Sequence, residues 1–381
     1  MELKDNVTQG AAMWLTGLNS SNATEGQEPD HFVFHSHCIY FDFIIEAMLM
    51  GVLCLFGFTG NTLSVLCLMK DKSKTATPFL LVSLEVADTL FLFTVLVLRV
   101  LTSIHTFTRW FDALMIFFPY VGTYVWPTAL IAETGTIYLT ILVTVNRYIS
   151  VCRPYEASNL CSVYHARRHV VLVTLFSILY NLPRFFEYNV ITAVNPRTNR
   201  TELRSNLTPF GQNIIYQVLY ANALYFLVMF LVPLITLLIL NYKLIKALRK
   251  AKKKRAQLLK TGRDSHNRSE DDITLVLIVV VVVFVICQTP ALITQSLLSF
   301  LDISKKGCPN AFFFYERISD LMIVANSSLN FIIYCFCSKK FRQILVGLMC
   351  KKQPDSPDAS QAPRALKPVR NSKTETADSM L

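Results

Sequence analysis

The sequence predicts an all-α protein, a seven-transmembrane helix bundle with a short amphipathic eighth helix and an extracellular N-terminus. Three observations predict it. Seven long apolar stretches, joined by short polar loops, run from about residue 41 to about residue 336. Basic residues gather on one side of a seven-span threading, and N-x-S/T triplets gather on the other. Each apolar stretch is long enough to cross a bilayer as a helix, which takes roughly 20 residues. Lipid offers no hydrogen bonds to bare backbone, so such segments are helices or strands of a closed barrel. Barrel strands need only about 9–11 alternating residues.

Composition agrees. Of 381 residues, 52% are hydrophobic and 17% charged, against roughly 25% charged in soluble domains. Residues 1–40 read as an extracellular glycosylated tail, with acceptor triplets opening at Asn6, Asn19 and Asn22. No apolar leader with a cleavage site precedes the first span, which is therefore expected to insert itself. Residues 41–350 form the bundle, with spans expected near 43–69, 77–103, 119–151, 168–188, 213–245, 272–300 and 312–336. Two further triplets open at Asn199 and Asn206, in the outer loop between the fourth and fifth spans. Residues 351–381 are rich in Pro, Ser and Lys without apolar periodicity and read as a disordered cytoplasmic tail.

The net charge is +11, and its placement orients the chain. Residues 243–268 hold eleven Lys or Arg against one acid, Asp264. Lys70, Lys72, Lys74, Arg167, Arg168, Lys339, Lys340, Arg342, Lys351 and Lys352 fall on the same side. Short basic loops stay cytoplasmic, so the N-terminus lies outside. The 243–268 run faces acidic membrane lipid or extends the fifth helix as a dock for an inner partner. Its juxtamembrane position argues against nucleic acid.

Of ten cysteines, only Cys38 and Cys308 lie in outer, oxidising segments. We expect a disulfide between them, two free thiols being the alternative. Cys350 ends the amphipathic stretch beside Lys351 and Lys352 and suits palmitoylation.

Polar residues inside the spans make the case specific. Gly60-Asn61 lies in the first, Leu84-Glu85-Val86-Ala87-Asp88 in the second, and Asn146-Arg147-Tyr148 ends the third. Pro233 sits in the fifth and Pro290 in the sixth; Asn326 and Asn330-Phe331-Ile332-Ile333-Tyr334 close the seventh. This ordered set resembles the rhodopsin-like G-protein-coupled receptors, whose patterns are L-A-x-x-D, D-R-Y, C-W-x-P and N-P-x-x-Y. Asn181-Leu182-Pro183-Arg184-Phe185-Phe186-Glu187, Glu202-Leu203-Arg204, and Glu270-Asp271-Asp272-Ile273-Thr274-Leu275-Val276 with Cys287-Gln288-Thr289-Pro290 resemble the invertebrate FMRFamide-type neuropeptide receptors.

The departures are specific too. The family links the outer end of the third span to the following outer loop by a disulfide. Gly122 occupies the third-span position, and residues 188–212 contain no Cys, so both partners are missing together. Val173 stands for the fourth-span Trp, Gln288 for the sixth-span Trp, Phe331 for the seventh-span Pro and Asn146 for the acid before Arg147. They remove the usual grounds for a toggle tryptophan and for a proline-bent seventh helix.

A charge inside a membrane costs at least a few kcal/mol, so each needs a partner or a function. Resemblance makes Asp88, with Thr136, Asn326 and Asn330, a candidate allosteric sodium site of oxygen donors; a hydrogen-bonded Asp in a water network is the plain reading. No other cofactor is implied. Resemblance makes Arg147 the group that holds the resting state, and Glu270 its latch partner, unless Glu270 is simply solvated with Asp271 and Asp272. Ile137, Pro233 and Phe284 match the family's connector between cavity and inner face, with core packing an equal reading. Tyr334 is the expected rotamer switch.

Glu133 lies two turns below Trp126, on a third-span face shared by positions 126, 129, 130, 133 and 137. FMRFamide-like peptides carry an Arg before their amidated C-terminus, and Glu133 is a candidate for that guanidinium. Asp320 is the rival acid, and an internal pair of Glu133 with Arg99 or Arg184 is the structural alternative. Tyr216, Tyr220 and Gln288 complete the candidate ligand-binding set. Tyr124, Trp126, Phe312, Phe313, Phe314 and Tyr315 receive the ligand's rings or form an interfacial belt. Trp110, in the first outer loop, is expected to plug it.

The reading is a multi-pass plasma-membrane receptor, not an enzyme, that couples an extracellular neuropeptide to a heterotrimeric G protein. Arrestin is the expected partner of tail hydroxyls Ser356, Ser360, Ser372, Thr374, Thr376 and Ser379. Ser379-Met380-Leu381 has the form of a PDZ-protein ligand. The same-fold alternative is a receptor for another peptide or a small ligand. Amine receptors usually place an Asp at the position of Ala129, which counts against an amine. The alternative from another class is a seven-span channel or transporter, which would need a polar conduit or an inverted repeat.

Overall fold

The computed structural model describes residues 37–71, 75–194, 199, 201–259, 278–291, 293–294 and 310–349. Among these, five helices are long and apolar enough to cross a membrane: His37–Met69, Thr77–Thr108, Phe118–Cys152, Val163–Phe186 and Tyr216–Ala247. They match the first five expected spans to within a few residues. The sixth is described over Ile278–Ala291, and the seventh is a bent pair, Ala311–Ser328 and Asn330–Cys337. The amphipathic helix follows at Lys339–Met349. Asn6, Asn19, Asn22, Glu270, Cys308, Cys350 and the 351–381 tail lie outside the described residues.

The third span is rich in Thr, yet it runs unbroken for 35 residues. Thr123, Thr128, Thr134, Thr140 and Thr144 each donate a hydroxyl to the carbonyl four residues back, at 2.6–2.9 Å. Each polar group is thus satisfied within its own helix, which removes the desolvation penalty. This helix packs against the second, fourth and fifth spans, and the second also packs against the first.

Three apolar clusters stack along the bundle. Met50, Cys54, Leu92, Val95, Ala132 and Val324 join spans one, two, three and seven in the outer half. Ile137, Met229, Leu237, Val281 and Phe284 join three, five and six. Leu80, Val143, Val280, Ile333, Tyr334 and Phe341 close the inner end and seat the amphipathic helix. Ile137 and Phe284 therefore share a cluster, and Pro233 is buried in the fifth span.

The outer ends of spans one, two and five are widened into π-helical stretches, Phe43–Met50, Leu96–Val100 and Tyr216–Leu224. Such local widening redirects side chains and is frequent at functional sites.

The seventh span bends by 49° at Leu329, although Phe331 replaces the family's proline. The cause is a side chain taking a carbonyl from the helix ladder, beside a pair of serines. Asn61 Nδ2 donates to the Ser327 carbonyl at 3.3 Å, and Ser328 Oγ donates to the Val324 carbonyl at 2.9 Å. Gly60 permits this approach, since a Cβ there would stand 2.9 Å from Phe331 Cβ.

A hairpin in the outer connection between the fourth and fifth spans adds the non-helical element that an all-α reading leaves out. Strands β1 (Tyr188–Val194) and β2 (Thr201–Leu207) pair antiparallel, with Tyr188 opposite Leu207. The β-branched run Val190, Ile191 and Thr192 favours a strand. With no cysteine to fasten it, the hairpin hangs on hydroxyls. Ser205 Oγ donates to the Pro119 carbonyl at 3.2 Å and lies 3.3 Å from Thr123 Oγ1, next to Gly122. Asn199 and Asn206 are exposed on it. Trp110 does not plug the first outer loop. It is 65% exposed, and only its backbone is engaged, with its carbonyl 2.8 Å from His105 Nδ1.

Candidate functional site

The outer half of the bundle holds an ionic lattice built on those widened helix ends. Arg99 of the second span bonds Glu46 of the first through Nη1 at 3.1 Å and Asp320 of the seventh through Nη2 at 2.8 Å. Arg317 of the seventh span meets Asp42 at 2.9 Å and Glu46 at 3.1 Å through Nε, and Glu316 at 3.8 Å through Nη1. Four carboxylates thus share two guanidiniums, an excess of two negative charges. The lattice ties three spans together at the cavity mouth.

Glu133 stands apart from it. It is half-buried on the third span and makes no hydrogen bond or ion pair with the described residues. Asp320 and Tyr225 lie within electrostatic range. Trp126 is half-buried above it, and Ala129, Leu130 and Ile137 on the same face are buried. Gln288 is buried and likewise makes no hydrogen bond with the described residues.

The second candidate arginine is engaged elsewhere. Arg184 Nη1 meets both Glu187 carboxylate oxygens at 3.2 and 3.4 Å, and Nη2 donates to the Ala221 carbonyl at 3.4 Å. Its guanidinium lies 5.3 Å from the Tyr220 ring centre and 5.8 Å from that of Tyr225. Tyr216 stacks on Tyr220 at 5.1 Å, and the Tyr220 hydroxyl donates to the Tyr180 carbonyl. Tyr216 and Tyr220 therefore form one wall with Arg184, between the fourth and fifth spans.

Below the cavity lies a buried polar network. Asn330 Nδ2 donates to Asp88 Oδ2 at 2.8 Å, and Tyr334 donates its hydroxyl to Glu85 Oε1 at 2.8 Å. The Ser327 and Thr136 hydroxyls also face the Asp88 carboxylate, and Glu85 Oε2, Asn61 Oδ1 and Ser64 Oγ are buried without a hydrogen-bond partner among the described residues. Asn326 of the seventh span is buried, 8% exposed. At the inner end Arg147 is 8% exposed, and the adjacent Asn146 carbonyl accepts from Ser150 Oγ at 2.9 Å and Cys161 Sγ at 3.6 Å.

Residues 60–334 match the 7 transmembrane receptor (rhodopsin family) description, which covers most of the bundle. The chain belongs to this receptor family. Rhodopsin-family receptors are multi-pass proteins of the plasma membrane and signal rather than catalyse. The chain is 29% identical to the FMRFamide receptor of Drosophila melanogaster over 83% of its length and 56% of that protein. It is 28% identical to the FMRFamide peptide receptor frpr-18 of Caenorhabditis elegans, over 78% of this chain and 67% of the other. To the sex peptide receptor of Drosophila melanogaster it is 29% identical, over 80% and 73%. The chain thus spans little more than half the length of the fly FMRFamide receptor.

In this rhodopsin-family receptor the candidate residues fall into three groups. Arg99 and Asp320 meet in the outer lattice; Arg184, Tyr216 and Tyr220 meet in the aromatic wall; Asp88, Thr136 and Asn330 meet in the polar network, with Tyr334 joined to it through Glu85. Glu133 pairs with neither Arg99 nor Arg184. Arg147 is described and Glu270 is not. Cys38 is disulfide-bonded, and Cys308, its expected partner, lies outside the described residues. Sequence reasoning missed Asp42, Glu46, Glu316, Arg317 and Glu85. The signal was available, since each is a charge inside or at the end of an apolar stretch.

Proposed function

We propose that this receptor binds an extracellular amidated peptide of the FMRFamide type in its outer cavity and activates a heterotrimeric G protein at its basic inner face. One observation carries the reading. Glu133 is a carboxylate within the bundle with no partner among the described residues, while Arg99, Arg184 and Asp320 are engaged with other groups. A carboxylate in that position is an acceptor for a guanidinium, and the FMRFamide receptor of the fly is among the chain's relatives. A screen of amidated peptides against nucleotide exchange tests it. Exchange driven by an Arg-containing amidated peptide supports the proposal; a transmembrane current without exchange overturns it.

Two elements belong to the same proposal. Asp88, Thr136, Asn326 and Asn330 would hold a sodium ion, since the Asp88 carboxylate and the Thr136 hydroxyl are neighbouring buried oxygens and a hard cation takes oxygen donors. Agonist affinity is then expected to fall when choline chloride is replaced by sodium chloride, and Asp88→Asn is expected to remove that difference. An undiminished sodium effect in the variant refutes the assignment.

Arg147 and Glu270 would form the inner latch that restrains the sixth span. A pair of this kind biases a two-state equilibrium by about 1–3 kcal/mol. Glu270→Gln is therefore expected to raise basal nucleotide exchange about fivefold or more. Unchanged basal exchange at matched surface expression counts against the latch.

A further inference from the structure

We propose that Glu85 is a positioning residue for signalling, which pins Tyr334 and with it the inner piece of the seventh span. Glu85 stands where the family pattern has Ala. It is fully buried, and its Oε1 accepts the Tyr334 hydroxyl at 2.8 Å.

The geometry makes this bond one rung of a ladder. Glu85 and Asp88 are three residues apart on the second span and share a face. Asn330 and Tyr334 are four apart on the inner piece of the seventh span and also share a face. Asn330 to Asp88 is the outer rung and Tyr334 to Glu85 the inner, each at 2.8 Å. The piece so held begins at the 49° break and is only eight residues long, Asn330–Cys337. It is a hinged element fastened by two carboxylates.

The inner rung is hard to replace. Glu85 Oε2 has no hydrogen-bond partner, so the Tyr334 hydroxyl is the only donor to this carboxylate among the described residues. Withdrawing it would leave a buried carboxylate bare, which costs more than the bond itself is worth in water. Tyr334 also packs against Phe341 of the amphipathic helix, ring centres 5.6 Å apart, and Lys340 of that helix bonds Asp71 at 2.6 Å. The position of Tyr334 is therefore felt at the cytosolic face. A receptor that waits for an agonist is quiet in its more stable arrangement, and the ladder stabilises the one seen.

The experiment compares Glu85→Ala, Glu85→Gln, Tyr334→Phe and the Glu85→Ala/Tyr334→Phe pair in the full chain at matched surface expression. Basal nucleotide exchange is expected to rise about fivefold or more in Glu85→Ala and in Tyr334→Phe, with no further rise in the pair. Glu85→Gln keeps an acceptor for the hydroxyl and is expected to recover most of the restraint. Amide hydrogen exchange across residues 330–337 is expected to quicken in Glu85→Ala and Tyr334→Phe. This second readout needs no G protein, so it separates the pin from the receptor's coupling. Faster exchange with no basal signal from any variant supports the pin and counts against coupling. Unaltered exchange, additive effects in the pair, or a Gln variant indistinguishable from Ala overturns the pin. Tyr334→Phe keeps the ring packing, so the test stands even where Glu85→Ala fails to reach the surface.

Discussion

Glu133→Gln is expected to lower the potency of an Arg-containing amidated peptide by about 30-fold or more while leaving the unliganded receptor as stable as before or more so. The size follows from the chemistry. Removing one partner of a desolvated, hydrogen-bonded charge pair costs about 2–5 kcal/mol, and 2 kcal/mol is about 30-fold in affinity. The sign on stability discriminates more sharply. A carboxylate that served packing or an internal salt bridge would destabilise the protein when neutralised. Glu133 has no partner among the described residues, so neutralising it removes an uncompensated charge, the usual signature of a site where function opposes stability. A ligand with citrulline for Arg completes the cycle. It is expected to lose potency on the wild-type receptor and to lose little on Glu133→Gln. An equal loss on both would exclude direct contact between this carboxylate and the guanidinium.

The spans were legible because the bilayer leaves little choice. An apolar stretch of the right length must be helical, and the basic loops at 70–74 and 243–268 orient it. The buried polar residues were legible as positions but not as pairs. Helical periodicity places Arg99 on a face of the second span, yet it cannot say whether Glu46, Glu133 or Asp320 meets it from another helix. The structure gives Arg99 to Glu46 and Asp320, and leaves Glu133 without either arginine. The seventh-span bend was illegible for a related reason. Its usual sign, a proline, is absent, and its cause lies on the first span, where Asn61 reaches the Ser327 carbonyl. Glu85 was visible inside a familiar motif, but its meaning depends on a tyrosine 249 residues away.

Arg99→Ala is the substitution expected to damage the fold most. The Arg99 side chain is 17% exposed, with Glu46 at 8% and Asp320 at 17%, so solvent screens these pairs poorly. Removing the guanidinium strips Asp320 of the partner 2.8 Å away and leaves Glu46 to Arg317 alone. Breaking a buried pair in this way costs about 3–5 kcal/mol, a large share of the roughly 5–15 kcal/mol that holds a folded protein together. Surface expression and the Tm of the solubilised receptor are expected to fall steeply. Replacing the whole group should cost far less, because the penalty comes from the stranded charges rather than the lost attraction. Arg99→Met combined with Asp320→Asn is therefore expected to regain more than half of the lost Tm. Wild-type stability in Arg99→Ala, or no recovery in the double variant, would show that the lattice does not hold the first, second and seventh spans together. The lattice also bears on the ligand. Arg99 neutralises Asp320, the rival acid to Glu133 for a guanidinium, so in any Arg99→Ala receptor that reaches the surface, peptide potency should depend less on Glu133.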